Sequence, residues 1–197
     1  EACKVAADAE AVLLFIGLTE AYESEGYDRS HLDLPQSHNE LVSEILKVNS
    51  NVSVVLSGGS PVVMPWLKDV KAVVNGYLGG QAGGLALTRV ISGEVNPSGK
   101  LAETYPISLS DVANAESYPG NDQTAEHRDG IYIGYRYYDT AKKDVLFPFG
   151  FGLSYTQFEY SDLKLSAASI KDTDTVTVSY KVKNIGSGAG AESTQLY

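Results

Sequence analysis

Three short apolar runs constrain the fold of this chain most strongly. They occupy residues 11–18, 52–56 and 70–78. Each run is nearly continuous rather than alternating, which is typical of a strand buried on both faces in a parallel sheet. Stretches with apolar residues at helical spacing accompany them, at residues 1–10, 37–49 and 85–92. This alternation of strands and helices predicts a layered α/β sandwich with a mostly parallel sheet.

The local signals refine this prediction. Ser37 and Glu40 have the spacing of a capping box and predict the start of a helix that ends near Asn49. Pro61 predicts a short helix over residues 61–67. Residues 101–105 predict a further strand, and residues 106–128 a long surface excursion.

The carboxyl-terminal part has a different pattern. Residues 131–138 alternate and predict a strand or hairpin arm, and residues 176–182 show the period of two that is typical of a strand with one buried face. We therefore predict two domains, an α/β domain at residues 1–158 and part of a β-sandwich at residues 159–197. About three strands fit into the second segment, whereas a complete sandwich of this kind needs ~7.

Charge and cysteine content exclude several classes. The 197 residues carry a net charge of −10 with only 15 Lys and Arg, which argues against nucleic acid and against an anionic membrane surface as partners. Cys3 is the only cysteine, so no internal disulfide can form. No apolar run approaches the ~20 residues of a membrane span. The chain begins inside a helical pattern without an initiator Met, so we expect the true amino terminus elsewhere, and both a secreted or periplasmic and a cytoplasmic location stay open.

The segment after the first apolar run is rich in reactive groups. Residues 20–29 contain four carboxylates, one arginine and two tyrosines. A loop that follows a parallel strand lies at the carboxyl edge of the sheet, where open α/β folds place their sites. We therefore predict that this acidic loop, residues 20–29, is the functional site.

Five sequence strings resemble those of glycoside hydrolase family 3, in the same order. They are ESEGYDR at 23–29 followed by LDLP at 32–35, SGGSP at 57–61, GGQAGG at 79–84, GEVNPSGKL at 93–101, and FPFGFGLSYT at 147–156. The resemblance covers almost the whole chain. It identifies residues 1–158 as the carboxy-terminal α/β sandwich domain, and residues 159–197 as the start of a fibronectin type III-like domain.

The resemblance implies a β-glucosidase-like enzyme. Family members are retaining exo-acting β-glycosidases, which use two carboxyl groups roughly 5–5.5 Å apart. The nucleophilic Asp lies on a (β/α)8 barrel that precedes this domain in the family, so this chain would supply the general acid/base and the outer wall of the cleft. The expected partners are that barrel and a β-linked oligosaccharide or glycoside, most of all a β-glucoside. A homo-oligomer stays open, and no cofactor is expected.

Two glutamates compete for the acid/base role. The Glu-Gly-Tyr-Asp pattern of the family points to Glu25, and Glu23 is the reserve candidate because loop lengths differ within the family. Tyr27 and Asp28 are the expected substrate contacts. Asp28 and Arg29 could pair and hold the loop.

Other motifs carry little support. The glycines at 79–84 do not reproduce the Gly-x-Gly-x-x-Gly spacing of a dinucleotide site. His31, His38 and His127 lack metal-ligand spacing, so no metal site is predicted. The alternative function is a non-catalytic module of the same fold that binds carbohydrate or serves assembly.

Overall fold

The computed structural model describes residues 1–27, 29–121 and 123–197 of the chain. They fall into two units. The first consists of Glu1–Thr88 and Leu101–Gly150, and the second of Arg89–Lys100 and Phe151–Tyr197. The boundary between domains that we predict at residues 158 and 159 stays a prediction.

A parallel sheet of three strands forms the centre of the first unit. The strands are β1 (Val12–Gly17), β2 (Val52–Ser57) and β3 (Ala72–Asn75), in the order β1-β2-β3. β1 and β2 pair from Val12–Val52 to Gly17–Ser57. Each strand arises from one of the three apolar runs, although β3 is shorter than the run that predicted it. β2 is the central strand and the most completely buried one.

Two helices precede and follow β1 in the chain. They are α1 (Ala2–Ala7) and α2 (Gln36–Leu46), and Ala6 and Ile45 pack with Val52 in a small apolar cluster. The capping box that we predicted at Ser37 is wrong, because the helix begins after Pro35 and Ser37 already lies inside it. The Glu40 carboxylate instead accepts a hydrogen bond from Gln36 at 2.6 Å.

The larger apolar core joins the sheet to α2 and to the segment after β2. Its buried residues are Ile16, Leu34, Val42, Val54, Leu56, Val62, Met64, Trp66 and Tyr105. Residues 65–69 form turns, so the short helix predicted over residues 61–67 is wrong. The Trp66 indole N–H donates to Asn39 Oδ1 at 2.9 Å, which gives this buried ring its polar partner.

The remainder of the first unit contains α4 (Tyr135–Ala141), a 3-10 helix (Leu109–Asp111), and the antiparallel pair β4 (Tyr105–Pro106) and β5 (Val145–Phe147). Helix α3 (Gly83–Ile91) runs across the division between the units. The strand predicted at residues 131–138 is wrong. Gly134 adopts φ +55°, which ends extended backbone, and α4 begins at the next residue.

The second unit contains an antiparallel hairpin. Its strands are β6 (Phe158–Leu165) and β7 (Val178–Asn184), paired from Phe158–Asn184 to Leu165–Val178 with a register shift between Ser161 and Lys164. Asn96 organises the loops of this unit, since its Oδ1 accepts from Ser154 Oγ and Tyr155 N and its Nδ2 donates to the Ala189 carbonyl.

None of the helices in residues 1–27, 29–121 and 123–197 has the length and apolar composition that a membrane span requires.

The core makes a prediction about stability. Val42 is fully buried, whereas Val48, six residues later, is 43 % exposed. Val42→Ala should lower the free energy of unfolding by about 2 kcal/mol, because it removes two buried methyl-sized groups and leaves a cavity. The identical change at Val48 should cost less than about 0.5 kcal/mol. Urea unfolding of both variants measures the difference, and equal losses would contradict the assigned core.

Candidate functional site

The acidic loop lies at the carboxyl end of β1. The amides of Tyr22 and Glu23 both donate to the Thr19 carbonyl, at 2.8 and 3.0 Å, and so turn the chain directly after the strand. Because β1 and β2 are parallel and in register, the loop emerges beside the segment that leaves β2. That segment, residues 57–61, is called the β2 exit turn below.

Glu25 occupies the apex of a tight turn. The Tyr27 amide donates to the Ser24 carbonyl at 3.3 Å, and Ser24 and Tyr27 form an isolated antiparallel bridge. Gly26, the third residue of the turn, has φ +75°, a conformation that a residue with a Cβ adopts only at a cost. The Glu25 side chain is exposed, and no described residue forms a hydrogen bond or ion pair with its carboxylate.

Glu23 has a different environment, although it is only two residues away. Its Oε2 accepts a hydrogen bond from the Gly59 amide at 2.9 Å, and the side chain is half-buried. A Cβ added at Gly59 would lie 2.2 Å from Glu23 Oε1, so the glycine leaves the space that the carboxylate occupies. The Glu23 carboxylate is therefore bound to the β2 exit turn.

Arg29 contacts the same turn from the other end of the loop. Its Nη2 donates to Ser60 Oγ at 2.7 Å and to the Pro61 carbonyl at 3.0 Å. Burial lowers the pKa of the guanidinium, and the nearby carboxylates of Glu23 and Asp33 oppose that effect by attraction. An arginine retains its charge in such a site, so Arg29 is a half-buried cation beside carboxylates.

A second cluster of polar side chains lies near the carboxyl end of β3. Asn75 Nδ2 donates to the Tyr105 hydroxyl at 2.8 Å, and Asn75 Oδ1 accepts from the Tyr77 amide at 3.1 Å. Burial raises the pKa of both tyrosines. Burial also raises the pKa of Glu103, and repulsion from Glu23 adds to this shift. Glu103 therefore interacts electrostatically both with the tyrosines of this second cluster and with Glu23 of the acidic loop.

Sequence reasoning missed Glu103. Its signal was a carboxylate inside residues 101–105, which we predicted as a strand, since charged residues are rarely buried without a reason. The partnership of Arg29 with Ser60 and Pro61 had no sequence signal, because these residues are about thirty positions apart.

The other candidate residues have mixed outcomes. Tyr27 is 54 % exposed beside Glu25, and Asp28 lies outside the described residues. His31 Nδ1 accepts from the Asp33 amide, and His38 Nδ1 accepts from the Gly17 amide. Across residues 1–27, 29–121 and 123–197, no group of three or more His, Cys, Asp or Glu side chains could hold a metal ion.

Comparison with known proteins decides the family. The sequence profile described as "Glycosyl hydrolase family 3 C-terminal domain" matches residues 1–155. This chain belongs to glycoside hydrolase family 3. The Acetivibrio thermocellus protein named thermostable beta-glucosidase B is 51 % identical over all 197 residues. A Bifidobacterium longum protein named exo-alpha-(1->6)-L-arabinopyranosidase is 45 % identical over 84 % of the chain.

Solved structures agree with this assignment. The crystal structure of a Bifidobacterium adolescentis GH3 beta-glucosidase matches 93 % of the chain with a TM-score of 0.88 and 42 % identity. The family 3 chain described here spans about a quarter of the length of these relatives, 26 % of the Acetivibrio protein and 27 % of the Bifidobacterium structure. The mixed sheets and helices of this chain are thus those of a family 3 carboxy-terminal domain.

The sheet edge of this family 3 domain combines three carboxyl groups in three environments. Glu25 is exposed, Glu23 is bound to an amide, and Glu103 is half-buried. An exposed carboxyl group can exchange a proton with a ligand or accept hydrogen bonds from sugar hydroxyls. A carboxylate that already accepts an amide N–H has less capacity for either.

Glu103 provides a pH-dependent prediction. A carboxyl group whose pKa is higher in the folded than in the unfolded state destabilises the fold once the unfolded group ionises, so stability is lost as pH rises through the folded pKa. The free energy of unfolding of Glu103→Gln, relative to that of wild type, should therefore increase as the pH rises from about 4 to about 7. Urea unfolding at both pH values measures this gain.

A double-mutant cycle separates the two causes of the Glu103 shift. In the Glu23→Gln background the gain from Glu103→Gln should be smaller but still present, because burial is the larger cause and repulsion by Glu23 the smaller one. A stability difference that is the same at both pH values would contradict the raised pKa.

Proposed function

We propose that this chain is the carboxy-terminal part of a retaining exo-acting β-glycosidase that hydrolyses terminal β-linked sugars, β-glucosides first among them. Membership of family 3 and the β-glucosidase names of several relatives support the reaction class. The observation that carries the proposal is the exposed Glu25 carboxyl group, which is placed at the apex of a turn on the carboxyl edge of a parallel sheet.

In this proposal the active site is shared between two domains. A retaining enzyme needs a nucleophile that attacks the anomeric carbon and an acid/base that first protonates the leaving oxygen and then deprotonates water. The nucleophilic Asp belongs to a (β/α)8 barrel outside these residues. Glu25 is the acid/base, and the acidic loop forms the outer wall of the cleft.

One contrast favours Glu25 over Glu23. An acid/base must reach the glycosidic oxygen and a water molecule in successive steps, so its oxygens must be free of permanent internal partners. Glu25 meets this requirement among the described residues, whereas Glu23 Oε2 is bound to the Gly59 amide. Glu23 remains the alternative, since rotation about its side-chain bonds could release it.

The domain assignment belongs to the same proposal. We assign residues 1–158 to a layered, mostly parallel α/β sandwich and residues 159–197 to the first strands of a fibronectin type III-like domain. The three parallel strands support the former, and the β6–β7 hairpin is compatible with the latter. The barrel and a β-linked glycoside are the partners that the shared site requires.

The identity of the substrate sugar is a separate question from the catalytic mechanism and needs its own test. One relative is named for α-L-arabinopyranoside hydrolysis and others for β-glucoside hydrolysis. Tyr27 and Asp28 are the proposed sugar contacts from this chain. A panel of aryl β-glucoside, β-xyloside and α-L-arabinopyranoside therefore belongs in each assay, with the β-glucoside expected to react fastest.

The 197-residue chain on its own should show no glycosidase turnover above background, because the proposed nucleophile lies outside it. The measurement is release of the aryl group from that panel, with the full-length protein as the positive control. Sustained turnover with retention of the anomeric configuration would require a nucleophile within these residues and would overturn the shared site. Sugar binding by a full-length protein that is inactive would instead support the non-catalytic module.

Glu25→Gln in the full-length enzyme should lower the rate by on the order of 10²–10⁴-fold for substrates with poor leaving groups. Activated aryl glycosides need little proton donation, so with these substrates the first step should stay fast. The variant should then accumulate the glycosyl-enzyme, which is seen as a burst of aryl group release. Azide should restore turnover, because it attacks this intermediate without deprotonation.

Glu23→Gln is the matched control for Glu25→Gln. It should lack the azide rescue and should keep the leaving-group dependence of wild type, because the Gln amide oxygen can still accept the hydrogen bond from the Gly59 amide. If the azide rescue follows Glu23→Gln instead, the assignment is wrong by two residues. If neither variant shows it, the loop is structural.

A further inference from the structure

The turn that bears Glu25 has little internal support. Among the residues that the structure describes, one long backbone hydrogen bond, from Tyr27 N to Ser24 O at 3.3 Å, closes it, and Gly26 at its third position adds conformational freedom in the unfolded chain. Fixing one residue costs roughly 1–2 kcal/mol of conformational entropy. A general acid nevertheless has to meet its oxygen within hydrogen-bond distance, so other contacts must hold this turn in place.

Two side chains flank the turn, and both bind residues of the β2 exit turn. Glu23, two residues before Glu25, accepts from the Gly59 amide. Arg29, four residues after Glu25, donates to Ser60 Oγ and to the Pro61 carbonyl. The loop is thus fastened on both sides of its apex to the end of the most buried strand in the sheet.

Arg29 is the stronger of the two attachments. Its guanidinium forms two hydrogen bonds with one nitrogen, is half-buried and lies near the carboxylates of Glu23 and Asp33. In each attachment one partner is charged, and such hydrogen bonds are roughly twice as strong as neutral ones, so the two bonds of Arg29 hold the loop more strongly than the one bond of Glu23. Its planar donor group is also preorganised, so fewer rotamers are lost for each bond than with lysine.

We propose that Arg29, acting through the β2 exit turn, is a positioning residue that holds the Glu25 carboxyl group in place for proton transfer. This inference rests on the proposed function of Glu25 and adds to it the group that fixes its geometry. Arg29 itself does not touch the substrate. Its loss moves the acid away from the leaving oxygen rather than removing the acid.

The test uses the full-length enzyme and a series of aryl β-glucosides whose leaving groups differ in basicity. Arg29→Met should lower kcat/KM, which reports the first, acid-assisted step, by on the order of 10–10²-fold for the poorest leaving groups, because a displacement of about 1 Å costs that much in a positioned reaction. For the most activated substrates kcat/KM should change less than about threefold, since their first step needs little help from the acid. The dependence of kcat/KM on leaving-group basicity should therefore become steeper.

Two further variants address the same attachment with less risk to folding. Ser60→Ala removes one of the two acceptors, and Arg29→Lys keeps the charge but cannot reproduce the planar donor geometry. Both should give effects between those of wild type and Arg29→Met. Arg89→Met is the matched control, since Arg89 pairs with Glu94 outside the acidic loop and should leave the leaving-group dependence unchanged.

The outcomes distinguish this inference from the function on which it rests. If Glu25→Gln steepens the leaving-group dependence but folded Arg29→Met and Ser60→Ala do not, the positioning role is overturned while the function of Glu25 stands. An equal loss of kcat/KM for all leaving groups also overturns it. If Glu25→Gln has no such effect, the assignment of the acid has failed. Should Arg29→Met not fold, the comparison of Ser60→Ala with Arg29→Lys decides.

Discussion

The parallel pairing of β1 with β2 is the contact on which the candidate site depends. Its last pair, Gly17 and Ser57, is very close, since a Cβ on Gly17 would lie 1.9 Å from the Ser57 carbonyl oxygen. Any larger residue at position 17 would therefore force the strand ends apart. Because the strands end together, the acidic loop and the β2 exit turn start side by side, and Glu23 and Arg29 can reach residues 59–61.

The carboxyl groups of Glu23, Glu25 and Glu103 lie in different electrostatic environments, which the sequence alone does not reveal. In a chain of net charge −10, carboxylates gathered at one edge repel one another, and the half-buried Arg29 partly offsets this repulsion. Burial and repulsion from Glu23 raise the pKa of Glu103. The edge therefore keeps one amide-bound, one half-buried and one exposed carboxyl group within a small region.

Continuous apolar runs made the parallel strands and the position of the acidic loop predictable. Residues 131–138 were not predictable in the same way, because Ile131, Ile133, Tyr135 and Tyr137 fit a period of two, whereas Tyr135 and Tyr138 fit helical spacing. The structure decides for the helix through the conformation of Gly134, the buried Tyr138 and the stacking of Tyr135 on Phe149. The contacts that fasten the loop join residues 31 to 36 positions apart, and no local pattern encodes such contacts.

Under the proposed function, the exposure of Glu25 gives the barrel a second role. A general acid must hold a proton when the substrate arrives. Burial and a second carboxylate are the two influences that favour the protonated form. Under the proposed function both come from the barrel, whose surface would cover the turn and whose nucleophile would lie opposite Glu25. This chain then contributes the position of the acid, and the barrel contributes the environment that protonates it.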